Sequence, residues 1–148
     1  MKISSRLDYA LSCAIVLASM YNQKQPIPVA FIAKKERLAY DYVEQLLCAL
    51  KKNNIVKSVR GARGGYILSS PPEKIMIKDI VIAIEKGVLK LVCDREKARR
   101  KDCMHFNDCK VRDFWIGLRD NMDKYFSSYT LKDLLKMREQ EKGFKDGR

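Results

Sequence analysis

Between residues 4 and 21, Leu7, Ala10, Leu11, Ala14, Ile15, Leu17, Ala18 and Tyr21 recur with the period of a helix that buries one face, and Ser4 or Ser5 can cap its start. Gln25-Pro26-Ile27-Pro28 breaks this pattern. Pro28 suits the first turn of a short second helix over 29–35, because first-turn positions need no backbone N–H. A turn near 36–39 leads to a third, amphipathic helix over 40–53. It gathers Val43, Leu46, Leu47 and Leu50 on one face and leaves Asp41, Glu44, Gln45, Cys48, Lys51 and Lys52 elsewhere around the cylinder. The pattern then changes period. Residues 55–60 read as a strand, Gly61-Ala62-Arg63-Gly64-Gly65 as a turn and Tyr66-Ile67-Leu68 as the return strand, a small basic hairpin.

After Pro71-Pro72, a helix over 78–86 with Ile80, Val81, Ala83 and Ile84 is expected to pack beneath the hairpin, and Gly87 to end it. Residues 93–112 hold almost no aliphatic side chains and cannot build an ordinary core; they carry three cysteines and the chain's single histidine, His105. Periodicity resumes at Val111: Phe114, Trp115, Leu118, Met122, Tyr125 and Phe126 form a broad stripe on a long helix ending near Tyr129, and such a stripe needs a large partner surface. Thr130-Leu131-Lys132-Asp133 has a variant capping-box pattern that opens a last short helix with Leu131, Leu134, Leu135 and Met137. The polar residues 139–148 are expected to fray. No internal repeat is visible.

Composition sharpens this outline. At 148 residues the chain is sized for one domain. Its 30 Lys and Arg against 18 Asp and Glu give a net charge of +12, while an apolar content of 47% is ordinary for a folded protein. The first 70 residues carry 11 basic and 4 acidic side chains, a net of +7, and the remainder 19 and 14, a net of +5. A polyanionic partner follows, nucleic acid or an anionic membrane surface. No basic amphipathic helix supports the membrane, no apolar run is long enough to span one, and the start lacks a signal peptide's pattern, so a cytoplasmic protein is expected. Five cysteines in a reducing compartment argue against disulfides. An enzyme is not expected, since there is no nucleophile with a base partner, no carboxylate pair and no phosphate-cradling loop.

Helix, short helix, turn, helix and hairpin, in this order, is the sequence form of a winged helix-turn-helix. The fold class expected is therefore mainly α with a small β-hairpin wing, followed by a long C-terminal helix. In such a module the second helix of the pair enters the major groove, which places Tyr40, Asp41, Glu44 and Gln45 at base edges. Gln pairs with adenine at two positions and a Glu carboxylate accepts from the cytosine amino group, so Gln45 and Glu44 are the candidates for base choice. Arg60 and Arg63 bracket the wing glycines, expected to let the wing approach DNA closely, where a guanidinium senses a narrow minor groove.

Cys93, Cys103 and Cys109 are separated by nine and by five residues in a cation-rich segment that favours thiolates. An iron–sulfur cluster, a zinc site completed by His105, and simple thiol sensing all remain open. Zinc is disfavoured by the lack of a close cysteine pair, whereas clusters tolerate varied spacing. Cys13 and Cys48, on helices, read as small buried or partly buried residues rather than ligands.

The run Tyr42-Val43-Glu44-Gln45-Leu46-Leu47, the stretch from Leu50 through Lys51-Lys52-Asn53-Asn54-Ile55-Val56-Lys57-Ser58-Val59-Arg60-Gly61, and Gly64-Gly65-Tyr66 resemble the Rrf-type transcription regulators that include IscR, NsrR and RirA. The opening Lys2-Ile3-Ser4-Ser5-Arg6-Leu7-Asp8-Tyr9-Ala10 is similar as well, and the likeness runs to about Met137. The resemblance implies a homodimer paired through the long helices, two reading heads on palindromic promoter DNA, and DNA roles for Glu44, Gln45 and Arg60. It also implies an iron–sulfur cluster, of 2Fe-2S or 4Fe-4S type, on Cys93, Cys103 and Cys109. Two departures leave the ligand set open. Cluster-binding relatives commonly have five residues between the first two cysteines, and the place where one branch carries a ligand histidine is Arg112, which cannot bind iron. Another branch uses an aspartate in the first helix of the opposite subunit, the place of Asp8, so Asp8, His105 or neither completes the set; Asp8 also suits a helix's first turn without any ligand role.

The expected organisation is a DNA-binding region over 1–70, and over 71–148 a linker helix, a sensor loop at 93–109, the dimerisation helix and a terminal helix, forming one compact unit with the first region. The expected function is a transcriptional regulator, a repressor in the first instance, whose operator affinity is switched by a cluster sensing redox, nitric oxide or iron status. The alternatives are a cluster-free regulator answering to a protein or small molecule, and a zinc- or thiol-based sensor.

Overall fold

Ser4 opens helix α1 (Ser5–Ser19) by accepting the Leu7 amide at 3.1 Å, the cap its position suggested. The computed structural model describes residues 3–91 and 103–145, with side chains as far as 140. A 3₁₀ turn at Tyr21–Gln23 leads to α2 (Val29–Glu36), where Pro28 stands at the N-cap, one place before the first turn. Arg37 takes the left-handed conformation that ends α2, and α3 (Tyr40–Lys52) follows after two more residues. The hairpin consists of β1 (Val56–Val59) and β2 (Gly65–Leu68), paired antiparallel from Val56 with Leu68 to Val59 with Gly65. After a 3₁₀ turn at Pro72–Lys74 come α4 (Ile77–Glu85), α5 (Arg112–Ser127) and α6 (Leu131–Lys145).

The core lies where α1 meets α3 and α4. Leu46, Leu47 and Leu50 of α3, Ile80 of α4 and Leu131 of α6 have no exposed surface. Burying each such side chain contributes roughly 1.5–3 kcal/mol, which makes the apolar face of α3 the main anchor of the reading half. The wing has a third edge that its own sequence period does not announce: Ile27, ahead of α2, exchanges two backbone hydrogen bonds of 2.9 Å with Tyr66. This close approach needs Gly65, because a Cβ there would sit 2.2 Å from the Ile27 carbonyl oxygen.

Three expectations change. α4 packs against α1, α3 and α5 instead of lying beneath the wing. The left-handed residue that closes α4 is Lys86, followed by Gly87 at φ 138°. The segment expected to fray is helical to Lys145. Its start is fixed by the reciprocal cap between Thr130 and Asp133, whose carboxylate accepts the Thr130 amide at 2.9 Å and hydroxyl at 2.7 Å. Its entry is further held by Leu131, whose amide donates to the Ile75 carbonyl at 2.8 Å. α5 carries no fully buried residue, and its Phe114 and Tyr125 are 68% and 61% exposed. Lys78 of α4 and Asp123 of α5 join the two helices at 2.7 Å. Among the described residues no helix is long and apolar enough to cross a membrane.

Candidate nucleic-acid interface and cysteine segment

α3 presents its first two turns outward because its apolar residues fall at 43, 46, 47 and 50 and turn the opposite side to solvent. Tyr40, Asp41, Glu44 and Gln45 are all exposed there. No side chain caps the start of the helix, so its first-turn N–H groups are free for an anion. Cations surround this face: Lys34 and Lys35 close α2, Lys51 and Lys52 close α3, and Lys57 lies exposed on β1. Lys51 donates to the Ser58 hydroxyl at 2.6 Å and so ties the end of α3 to the wing.

Arg60 and Arg63 are exposed at the wing tip, where the Gly64 amide closes a tight turn on the Gly61 carbonyl at 2.9 Å. The wing glycines divide their duties. A Cβ at Gly64 would meet the Val59 carbonyl oxygen at 2.3 Å and one at Gly65 would meet Ile27, so both serve the fold of the wing; Gly61 alone of the three faces open space. Of the three, only at Gly61 would an added side chain meet no neighbour within the chain.

A second tie between α3 and the wing escaped the sequence reading. Cys48 is exposed on α3, not buried, and its sulfur lies 3.7 Å from the hydroxyl of Tyr66 on β2. Burial of the phenol, then its hydrogen bond to Cys48, pushes the Tyr66 pKa up to about 12, so the ring stays neutral. A contact between residues 18 apart on a helix and a strand leaves no periodic signal.

Cys103 and Cys109 are both half-buried on a short turn-rich segment ahead of α5. The Phe106 amide bonds back to the Cys103 carbonyl at 3.2 Å, and the Asp108 amide to that of His105 at 3.2 Å. His105 and Asp108 face each other at 3.8 Å in solvent. Arg112, at the place of a ligand histidine in one branch, is otherwise engaged: its guanidinium donates to the Phe106 carbonyl and lies 5.2 Å from the centre of that ring. It thus staples the cysteine segment to the start of α5. Asp8 is exposed in the first turn of α1. Cys93 lies outside the described residues, and among the described residues no group of three His, Cys, Asp or Glu side chains gathers for a metal. The two described thiols, each half-buried on the short segment ahead of α5, suit a thiolate-bound group in type. A cleft of about 1120 Å³ lies between α4, with the residues that follow it, and α5, lined by Lys78, Lys86, Lys90, Leu91 and Ile116 among others.

Residues 3–137 match the family model described as Rrf2, iron-dependent transcriptional regulator. The HTH-type transcriptional regulator IscR of Photorhabdus laumondii is 30% identical over 139 residues, 94% of this chain and 82% of the relative. Among solved structures, the global cysteine regulator CymR of B. subtilis superposes with a TM-score of 0.73 at 32% identity, covering 93% of this chain and 98% of that one. IscR of T. potens does so with a TM-score of 0.74 at 30% identity, covering 95% and 90%.

Proposed function

Because the chain belongs to the Rrf2 family of transcriptional regulators, we propose that it binds palindromic promoter DNA as a homodimer and that residues 93–109 set its operator affinity by holding an iron–sulfur cluster. The reading region is 1–70. The exposed first turns of α3 supply base contacts through Glu44 and Gln45, with Tyr40 and Asp41 beside them, while Arg60 and Arg63 take the flanking minor groove. The exposed aromatic stripe of α5 is the pairing surface, since a helix with Phe114 and Tyr125 in solvent leaves apolar area that a second copy would cover. Cytoplasmic placement accords with this role.

The observation that carries the switch is the position of α4. It packs on α3 and on α5 at once, and the stretch of chain between α4 and α5, residues 86–111, contains the cysteine segment. Glu85, the last residue of α4, accepts a hydrogen bond from Ser4, the cap of α1, so the C-terminal end of α4 is fastened to the start of α1. A change in the segment can therefore alter how α1 and α3 sit against α4, and a regulator responds only if its two states differ in such contacts. Cys93, Cys103 and Cys109 would hold the cluster, with Asp8 or His105 as the fourth ligand; when bound, it supplies a redox- and nitric-oxide-reactive centre whose thiolate ligands tie the segment together.

Anaerobic purification tests this. Iron, sulfide and visible absorbance are expected in the wild type and lost in Cys93→Ala, Cys103→Ala and Cys109→Ala; full colour in all three variants overturns the cluster. The likeness to a cysteine regulator at 32% identity favours one second reading, a cluster-free regulator answering to a protein partner or small molecule. It predicts a colourless chain that binds its operator.

A further inference from the structure

Glu36 is the last residue of α2, placed where the carbonyl end of a helix disfavours a negative charge. Its side chain is only 11% exposed, and it lies close enough to the buried thiol of Cys13 to help raise that group's pKa, after burial itself. A carboxylate so enclosed needs a cation. Such a cation comes from 102 residues further along: Arg138 of α6 donates to the Glu36 carboxylate at 3.0 Å.

The place of this pair in the fold gives it a consequence. Glu36 immediately precedes Arg37-Leu38-Ala39, the turn of the helix-turn-helix, in which Arg37 is left-handed and the Leu38 amide closes back on Ala33 at 3.0 Å. Tyr40 then begins the reading helix. On the other side, α6 follows α5 after only three residues and is held by the Thr130 cap, by Leu131 and by its packing on α1. The path thus runs from α5 along the three-residue connection into α6, across the pair and into the turn that aims α3. Arg138 lies one residue beyond the stretch matched by the family model.

We propose that Arg138 and Glu36 are positioning residues: the pair is a strut by which the C-terminal helix fixes the tilt of the reading helix relative to the helix of dimerisation. This rests on the DNA-reading role proposed above. A partly buried pair at a surface far from any turn would merely add stability; this one is anchored at both ends to elements whose relative orientation decides whether two heads meet two half-sites.

The test uses the full-length chain and duplexes recovered by the wild type from a random-sequence pool, with a scrambled duplex as reference. Arg138→Gln and Glu36→Gln are expected to weaken binding to the selected duplex by roughly tenfold. They should leave the scrambled duplex unchanged and broaden the tolerated spacing between half-sites. The exchanged pair, Glu36→Arg with Arg138→Glu, should recover affinity and spacing preference. If the single variants bind the selected duplex like the wild type, or lose selected and scrambled binding in parallel with a falling melting temperature, the strut is refuted and the reading role stands. If the wild type recovers no preferred duplex, the reading role fails and the strut with it.

Discussion

Replacing Gly65 by Ala perturbs the wing at its junction with the rest of the reading half. The new Cβ would stand 2.2 Å from the Ile27 carbonyl oxygen, 2.4 Å from its carbon and 2.8 Å from the Pro28 nitrogen, all of them backbone atoms with no flexible end to yield. The backbone at φ 154° is also one that residues with a side chain rarely adopt. Relief requires parting β2 from Ile27, which surrenders both 2.9 Å bonds between Ile27 and Tyr66. At about 0.5–1.5 kcal/mol each, these bonds cost 1–3 kcal/mol. Backbone strain of roughly 1–3 kcal/mol for a side-chain-bearing residue at this φ comes on top. A loss of 2 kcal/mol or more is large against a typical total of about 5–15 kcal/mol. With a urea slope near 2 kcal/mol per molar, the unfolding midpoint should fall by about 1 M or more. Gly61→Ala is the control: its φ is 115° but its Cβ meets nothing, so only conformational strain of about 1 kcal/mol remains. Urea unfolding followed by circular dichroism decides the matter. A midpoint for Gly65→Ala no lower than that of Gly61→Ala would refute the assignment of Gly65 to the fold.

Arg60→Ala and Arg63→Ala should each reduce the salt dependence of operator binding by about one released counterion without lowering the melting temperature, as a titration of affinity against salt would show. Gln45→Ala should cost about 1–3 kcal/mol on the selected sequence and little on a scrambled one, so equal losses on both would count against base reading. Leu131→Ala removes a side chain with no exposure and should destabilise the chain by roughly 2–5 kcal/mol in chemical unfolding. Cys13 has its pKa raised from 9.0 to about 12, chiefly by burial and then by Glu36. The folded state therefore favours the protonated thiol: the contribution is fully present below pH 9 and is lost as pH rises from 9 towards 12. Cys13→Ala should flatten the stability profile in that window, and iodoacetamide at pH 8 should label Cys48 in the native chain while sparing Cys13.

Where a residue's role depends on its own helix or strand, the sequence was a sufficient guide. The stripe of Val43, Leu46, Leu47 and Leu50 predicts both the existence of α3 and which side faces outward, and the Thr130–Asp133 spacing predicts the cap that is observed. Helix α6 outran its expected length and its Arg138 reaches α2, and a polar sequence does not reveal where its charges find partners. Gly65 reads as a turn residue, yet its duty is set by Ile27, 38 positions earlier. Cys48 misled for a related reason: cysteine is usually buried, but this one occupies a solvent-facing position of an amphipathic helix. The cysteine segment was visible as an anomaly of composition, while the meeting of its thiols is a matter of three-dimensional closure that spacing alone underdetermines; Cys93 lies outside the described residues.

Cluster switching requires that residues 93–109 govern the grip on DNA. The most direct measurement is operator affinity of the anaerobically purified chain, before and after treatment with nitric oxide, beside Cys103→Ala handled in the same way. Nitric oxide should shift the wild-type affinity several-fold towards the value of Cys103→Ala and leave the variant unmoved. Identical affinities for the untreated wild type and the variant, with no response to nitric oxide in either, would contradict cluster switching.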